Sequence, residues 1–385
     1  MVRKLPLNKW FQVLFLTFFS ILALISISNS LYAQETDLLF PYPGSAYSEA
    51  GDLYLDINTS GFFRNNEYFN EIVDGYTLAG TFMTPAVSYH PTGETRIDAG
   101  VHMLYHPGMK GFKKIMPVFS FRYQFSKSGE LIIGKLEGAE KHGLLPQLLN
   151  PERTYLQGYE NGLQVRFNAG YFHSDVWLNW ENYIFTGDTT QEVFTQGTST
   201  GVKLLENKNT RLVIPVQTMA VHRGGQINET NKNISTLFNL ATGVDIDFLT
   251  GGESIESIGV DFLFFGYVDL SPAKLQAFEN GTGMYVGLGT TGERLELDLG
   301  YWYGNRFIAP GGEEIYQSVS YKNAGLVDPY RGLGVIKASY GIPVGEGLQF
   351  GLFTGGFYDL SGKLFDYYYG LHLFFSRRFF LLNYK

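Results

Sequence analysis

Apolar and polar residues alternate with a period of two along most of the chain, and this pattern restricts the fold more than any other feature. From Phe119 to Phe125 the sequence FSFRYQF places four aromatic residues on one face of a strand and Ser120, Arg122 and Gln124 on the other. Side chains of a strand point to alternate faces, so the pattern predicts strands with one apolar and one polar face. The same alternation recurs at residues 96–105, 163–168, 244–248 and 295–303.

Short and long connections alternate between these strands. Residues such as Gly, Asn and Pro, which supply the backbone angles of tight reversals, mark seven short turns at 91–94, 127–129, 170–173, 206–209, 250–255, 290–293 and 341–347. Eight polar loops, most of them longer, lie at 63–74, 107–114, 138–159, 185–191, 223–233, 271–280, 304–330 and 360–363. These connections predict about sixteen strands, with fourteen or eighteen as the alternatives.

An even number of long alternating strands with short turns at one end predicts an all-β fold, a transmembrane antiparallel β-barrel. Only a closed barrel lets strands pair every backbone group inside lipid. The composition agrees, because aromatic residues make up 16% of the chain and charged residues only 17%. The alternative is a soluble sandwich or barrel, but soluble strands are usually shorter, about 5–6 residues. We therefore expect short periplasmic turns, long extracellular loops, an apolar outer face and a polar lumen.

The N-terminus has the layout of a secretory signal. A basic start precedes an apolar run from Trp10 to Ile27, and small and polar residues follow it. We expect cleavage after Ala33, with Ser30 as a second choice and a retained membrane anchor as the alternative. No later stretch approaches the ~20 apolar residues of a spanning helix. The predicted domains are a signal peptide at 1–33, a lead-in or lumen segment at 34–50 and the barrel at 51–385.

On this architecture the chain resembles the porin-like outer-membrane barrels of Gram-negative bacteria. The resemblance covers almost all of the chain after the signal but identifies no member and no site motif. It implies a location in the bacterial outer membrane, in contact with its lipid, including lipopolysaccharide, and with the outer-membrane assembly machinery. Protein partners would bind through the loops. The net charge of −8 argues against nucleic acid, and neither a cofactor nor a metal is expected.

The polar face supplies the candidate lumen-lining residues. One wall is expected to be basic and the opposite wall acidic, so that a transverse field orients polar solutes. The alternative is that these charges pair with neighbours in the lumen or with a plug. The basic wall holds Arg96, Arg122 and Arg166, together with Asp98 and His102, and the acidic wall holds Asp245, Asp247, Asp261, Glu296 and Asp298.

The long third loop is the second candidate site. It contains the apolar stretch GLLPQLL at 143–149, which a solvated loop would not favour. We expect it to fold into the lumen and narrow it, with an outward loop packed on neighbours or a partner as the alternative. The loop at 304–330 would instead form a lid. The candidate constriction residues are Glu137, Glu140, Lys141, His142, Glu152 and Arg153.

The leading functional prediction is a channel for passive passage of small hydrophilic solutes. A non-conducting barrel that serves as a subunit or docking platform of a larger outer-membrane complex is the second prediction. An outer-membrane enzyme acting on lipid or peptide is the least favoured, because no serine has a nucleophile signature and no phosphate loop is present.

The C-terminal sequence LHLFFSRRFFLLNYK at 371–385 is predicted to hold the last strand. Odd positions from Tyr367 to Phe375 form an apolar face, which places Arg377 and Arg378 at the periplasmic rim, where charge is tolerated. Two alternatives remain for the rest: the strand continues through a bulge near Ser376, or it ends there. If it continues, we expect an aromatic assembly signal at Phe380, Leu382 and Tyr384.

Overall fold

The structure is a computed structural model, and it describes residues 48–384 except positions 226, 228, 229 and 253. The predicted signal peptide and residues 34–47 of the predicted lead-in segment lie outside the described residues. None of the helices within the described residues is long and apolar enough to cross a membrane.

Sixteen strands form one closed barrel in the part of the chain that the structure describes. Each strand pairs antiparallel with the next in sequence, and the last pairs with the first, so the predicted fold class is confirmed. The strands are β1 (Asp52–Glu67), β2 (Tyr76–Thr92), β3 (Thr95–Tyr105), β4 (Lys114–Ser126), β5 (Gly129–Lys135), β6 (Asn161–Ala169), β7 (Phe172–Asn182), β8 (Val193–Glu206), β9 (Thr210–Arg223), β10 (Ser235–Leu249), β11 (Ser257–Asp269), β12 (Asn280–Thr291), β13 (Leu295–Asn305), β14 (Tyr330–Gly345), β15 (Leu348–Asp359) and β16 (Leu364–Asn383).

The period-two pattern separates an outer from an inner face on every long strand, and β16 illustrates it. Tyr367, Leu371 and Leu373 are exposed on the outer face, whereas Tyr368 and His372 between them are buried on the inner face. A band of exposed Leu, Phe and Tyr that runs round a closed barrel is stable only against lipid.

Two long outer loops lie inside the barrel rather than above it. We name them L3 (136–160) and L7 (306–329). L3 contains the short helix α1 (Arg153–Gln157), and L7 contains a 3₁₀ turn at Glu314–Tyr316. Their apolar side chains, such as Leu148 and Phe307, pack with inward residues such as Trp302 into one buried cluster. The alternation had predicted a polar lumen. The lumen is not uniformly polar, however, because an apolar core fills its outer half.

The C-terminal segment shows that the last strand does continue past Ser376. The bulge is not near Ser376, however. Phe380 pairs with Tyr54 and Leu382 pairs with Leu53, so the extra residue is Leu381. The strand runs five residues beyond Arg378, which points inward and pairs with Asp56 at 2.8 Å. The arginines thus do not mark the end of the strand.

Candidate functional site

The first half of L3 is fixed to the barrel wall by inward polar side chains of β8 and β9. The Gly143 carbonyl accepts hydrogen bonds from Gln217 Nε2 at 2.9 Å and from Ser199 Oγ at 3.1 Å. The Leu145 amide donates to Gln217 Oε1 at 2.9 Å. One glutamine amide therefore binds the L3 backbone as both donor and acceptor, which fixes its direction within the lumen.

His142 anchors the same part of L3 between two carboxylates. Its Nε2 lies 2.6 Å from Glu160 Oε2 and its Nδ1 lies 2.9 Å from Asp175 Oδ2. The ring is fully buried and stacks on Trp177 with ring centroids 3.6 Å apart. Burial disfavours the charged imidazole, but Glu160 and Asp175 outweigh it and raise the pKa of His142 to about 9. The same contact lowers the pKa of Glu160 against the opposing effect of its burial.

The second half of L3 is fixed on the opposite side of the lumen. Glu152 is buried, and it accepts hydrogen bonds from Tyr76 Oη at 2.5 Å and from Asn66 Nδ2 at 3.2 Å. It also forms an ion pair with Arg64 Nε at 2.9 Å. Because Gly143 is bonded to β8 and β9 while Glu152 contacts β1 and β2, which lie nearly opposite in the strand order, L3 crosses the lumen from wall to wall.

L7 completes the closure of the outer half. Asn239 Nδ2 donates to the Ile308 carbonyl at 2.7 Å, and Trp302 Nε1 donates to the Tyr316 carbonyl at 3.1 Å. Two backbone hydrogen bonds then join the loops directly: Asn150 N to the Gly311 carbonyl at 2.7 Å and Glu313 N to the Pro146 carbonyl at 2.8 Å. L3 and L7 therefore form one plug that is bonded to the wall on several sides.

A cavity of about 170 Å³ lies beside L3 and is lined by the predicted basic wall. Arg96 pairs with Asp98 at 2.6 Å and with Asp56 at 2.8 Å. Arg122 forms an ion pair with Glu137 at the start of L3. Burial alone would raise the pKa of Glu137, but nearby cations, Arg122 foremost, hold it well below its usual range. The arginines Arg96 and Arg122 of the predicted basic wall are thus engaged with nearby carboxylates.

A second cavity, of about 290 Å³, lies between L3 and the predicted acidic wall. Its lining includes all five carboxylates of that wall, Glu152 of L3 and three cations of the strands, namely Arg64, Arg211 and Lys337. Arg211 binds Asp247 at 2.7 Å. Asp245 and Asp261 stand directly opposite each other in the β10–β11 register. The net charge of this cavity is therefore negative.

The remaining predicted residues lie in three places. Arg166 is on the inner face near Glu130, at 3.7 Å, and His102 lines the smaller cavity. Lys141 and Glu140 also line that cavity, and Arg153 pairs with Glu181 at 2.5 Å.

Sequence reasoning missed the wall groups that hold the plug. An amide within the apolar run of β9 was the available signal for Gln217. At the periplasmic end the predicted assembly residues are exposed, namely Phe380, Leu382 and Tyr384.

A row of four side chains crosses the outer face at the extracellular end of β7 to β10. Trp180, Phe194, His222 and Thr236 are successive partners in the strand register. Phe194 stacks on His222 with ring centroids 4.7 Å apart. Thr236 Oγ1 lies 2.8 Å from His222 Nδ1. A hydroxyl and an oriented imidazole therefore face the outer leaflet of the membrane.

Within the described ranges, no group of three or more His, Asp or Glu side chains is arranged to hold a metal ion. A search of curated proteins found no match.

Solved outer-membrane proteins share the fold at low sequence identity. OprD from Pseudomonas aeruginosa is 10% identical, with a TM-score of 0.50 over 87% of this chain and 96% of that one. A loop-deletion variant of OmpT from Vibrio cholerae is 10% identical, with a TM-score of 0.49 over 86% and 100% of the two chains. OccAB4 from Acinetobacter baumannii is 9% identical, with a TM-score of 0.47 over 88% and 100%. The OprD match and the lipid-facing band place this barrel in the bacterial outer membrane, as predicted.

The comparison with family models covers nearly the whole barrel. The model of the lipid A 3'-O-deacylase type matches residues 45–384, which span all sixteen strands and both plug loops. The expectation that the chain is not an enzyme therefore lacks support from its relatives. The chain belongs to the lipid A 3'-O-deacylase-type family.

Proposed function

We propose that the chain hydrolyses an acyl ester of lipid A at the extracellular rim of the barrel, with Thr236 as nucleophile and His222 as base. The observation that carries this proposal is the 2.8 Å contact between Thr236 Oγ1 and His222 Nδ1 on the lipid-facing surface. Nucleophile and base within hydrogen-bond distance, with the base held by a third group, is the arrangement that activates a hydroxyl. Here the third group is the ring of Phe194, which stacks on the imidazole.

The position of the pair agrees with the substrate that the family description names. His222 and Thr236 lie next to the ends of β9 and β10, one residue from the outer loop at 224–234. Lipid A occupies the outer leaflet, and its 3'-O-acyl ester lies between the sugar head group and the acyl chains. The aromatic residues Trp180 and Phe194 beside the pair are of the kind that occupies this interfacial level in barrels.

The proposed reaction proceeds in two steps. Thr236 Oγ attacks the ester carbonyl while its proton passes to His222, and the 3' oxygen leaves with that proton, which gives a free sugar hydroxyl and an acylated Thr236. Water then attacks the acyl group with His222 as base, and the fatty acid leaves as Thr236 regains its proton. General base catalysis of this kind contributes about 10²–10⁴ in rate.

The test is fatty-acid release from lipid A in mixed micelles by the purified barrel. Thr236→Val and His222→Gln should each lower the rate by about 10²-fold or more. Thr218→Val is the matched control, because Thr218 is a threonine of β9 four residues from His222, on the same face. Full activity in both Thr236→Val and His222→Gln would refute the assignment, as would equal loss in the Thr218→Val control.

Passage of small hydrophilic solutes is a second candidate function. The two charged cavities beside L3 favour it, but the joined L3–L7 plug would have to leave the lumen first. We expect little or no ohmic current from the purified barrel in planar bilayers. A large constitutive conductance would favour the channel instead. A docking role for the loops stays a prediction, which co-purification of a stoichiometric partner in mild detergent would support.

A further inference from the structure

We propose that the smaller lumen cavity binds the carboxylate of a long-chain fatty acid, whose alkyl chain leaves the barrel sideways through a gap in the wall beside β4. The site lies on β3 to β5 and on L3, whereas the rim pair lies on β9 and β10, so the proposal does not depend on the rim chemistry. Two independent observations support it: a stretch of β4 that lacks a neighbouring strand on one side, and a lysine ammonium group in the cavity that lacks a partner.

The gap lies beside the outer half of β4. This strand pairs with β3 from Lys114 to Tyr123. Its pairing with β5 begins only at Ser120, opposite Gly134, because β5 is just seven residues long. Within the described part of the chain, residues 114–119 therefore have no strand beside them on that side. An open strand edge leaves backbone groups without a ladder partner, which is unfavourable in lipid, so this edge needs another cover.

The cover is the return arm of L3, residues 157–159, and it is held by side chains rather than by a strand ladder. Lys114 Nζ donates to the Gln157 carbonyl at 2.8 Å, and the Tyr159 hydroxyl donates to the Pro117 carbonyl. Pro117 has no N–H and so cannot form a complete ladder rung at this point. The return arm can therefore move away from β4 without breaking any strand pairing.

Apolar side chains border the gap on both sides of the wall. Ile115 and Phe119 of β4 are 63% and 56% exposed on the lipid-facing side. Val118 of the same strand and Tyr159 of the return arm line the smaller cavity on the inner side. An alkyl chain that passes between β4 and the return arm keeps apolar contacts along its path, whereas a polar chain would not.

Lys135 is the second observation. It is the last residue of β5, next to the gap, and its carbonyl accepts a hydrogen bond from Ser120 Oγ at 3.1 Å. Its side chain lines the smaller cavity. Among the residues that the structure describes, its ammonium group has neither a hydrogen bond nor an ion pair. Lys135 is only partly buried and its Nζ keeps accessible surface, so a ligand in the cavity can reach it.

The chemistry of Lys135 determines the head group of the ligand. An ammonium group offers three donors and no acceptor, so it requires an acceptor and favours an anion. The carboxylates around Lys135 are engaged with other groups, which leaves this position open for a carboxylate from outside. These contacts are Asp98 with Arg96, Glu137 with Arg122, and Glu140 with the Thr154 hydroxyl.

The size of the cavity connects the two observations. Its volume of about 170 Å³ is below the ~300–1,000 Å³ of ordinary ligand sites. A carboxylate and the first few methylene groups fit beside Lys135, but the rest of a long alkyl chain does not. The gap next to Lys135 gives that part of the chain a path into the membrane. We therefore expect the head group inside the lumen and the end of the chain in the lipid.

Photocrosslinking of the folded barrel in lipid vesicles tests the proposal. The probe is myristic acid with a diazirine near the middle of the chain, and crosslinked peptides are identified by mass spectrometry. Crosslinks should concentrate at residues 115–119 and 156–159. Lys135→Met, which keeps the length of the side chain but removes the charge, should reduce them about tenfold or more, because a charge-assisted contact is lost. The methyl ester of the probe should crosslink there less by a similar factor.

Lys337→Met is the matched control, because Lys337 is an inward lysine that lines only the larger cavity. It should crosslink as the wild type does. The gap has a test of its own, since the chain has no native cysteine. Pro117→Cys with Tyr159→Cys, joined by a short bifunctional thiol reagent, should lose the crosslinks, whereas the same variant without the reagent should keep them.

Four outcomes would overturn the inference. They are crosslinks spread evenly over the lipid-facing strands, equal crosslinking by the acid and its methyl ester, unchanged crosslinking in Lys135→Met, and unchanged crosslinking after the gap is closed by the thiol reagent. Heat-modifiable electrophoretic mobility confirms that each variant has folded, so a misfolded variant is not mistaken for a loss of binding.

Discussion

Replacing His142 with glutamine should release the first half of L3 from the barrel wall. The imidazolium lies between Glu160 and Asp175 at 2.6 and 2.9 Å and is fully buried. Glutamine keeps the size and a hydrogen-bonding end but removes the charge. Two buried carboxylates would then lack their common counter-ion, which destabilises a buried site strongly.

The magnitude follows from the proton affinity of His142. Its pKa rises from 6.5 to about 9 in the folded state. Each tenfold change in proton affinity is worth ~1.4 kcal/mol, so the raised pKa corresponds to about 3 kcal/mol of stabilisation. Because the folded pKa is the higher one, this contribution is complete below about pH 6.5 and is lost as the pH rises through about 9. About 3 kcal/mol corresponds to roughly a 10²-fold change in the opening equilibrium of L3.

The assay uses the absence of native cysteine. Leu148→Cys places a single thiol in the fully buried part of L3, and its rate of alkylation by iodoacetamide reports how often L3 leaves the lumen. At pH 6.5 to 7 the His142→Gln background should label about 10²-fold faster than the wild-type background. Taking the ratio of the two labelling rates at each pH cancels the effect of the ionisation of the thiol, which both backgrounds share.

The ratio of the labelling rate in the His142→Gln background to that in the wild-type background should fall toward one as the pH passes about 9. Above this pH the imidazole of His142 is neutral, as the glutamine is at every pH. His106→Gln is the matched control, because His106 bonds the Ala79 carbonyl outside L3. Its ratio should stay near one at every pH. Labelling at pH 7 that is equal with and without His142, or a ratio that does not change with pH, would refute the reasoning.

Three further predictions concern the plug and the last strand. Gly312→Ala would push a methyl group into the Gln147 carbonyl and should lower the free energy of unfolding in guanidinium by about 1–3 kcal/mol, whereas Gly93→Ala, with open space around it, should not. Deleting 140–155 should convert a nearly silent barrel into one with discrete conductance steps in planar bilayers; silence in the folded deletion variant would show that L3 is not needed to close the lumen. Phe380→Ser with Tyr384→Ser should reduce the heat-modifiable barrel in membranes, and Phe365→Ser, at the other end of β16, should not; equal yields would remove the assembly role.

The strands could be predicted from the sequence because each alternating run can be recognised without knowing which other strand it pairs with. Period-two runs such as FSFRYQF and the Gly- and Asn-rich turns depend only on neighbouring residues, and they led to sixteen strands and the lipid-facing side. The ion pairs of Arg96 with Asp98, two residues apart on one face, were within reach of the same reasoning.

The plug and the rim pair depend on contacts between residues distant in sequence. Gln217 holds the Gly143 backbone across 74 positions, and no local pattern indicates that partner. His222 meets Thr236 only in the actual register of β9 and β10, and a shift of one residue would turn either side chain to the opposite face. The predicted loop at 223–233 lies one residue too early in the chain, because β9 ends at Arg223 and β10 begins at Ser235. The bulge at Leu381 was likewise placed five residues too early.

Mass spectrometry of lipid A from Gram-negative cells that carry the folded barrel in their outer membrane tests the rim chemistry most directly. Cells with the wild-type chain should show lipid A that has lost one ester-linked acyl chain from the 3' oxygen, and cells with His222→Gln should show the intact molecule. Lipid A of unchanged mass in cells with correctly folded wild-type barrel, or the same loss in cells with the variant, would contradict the assignment of His222 and Thr236.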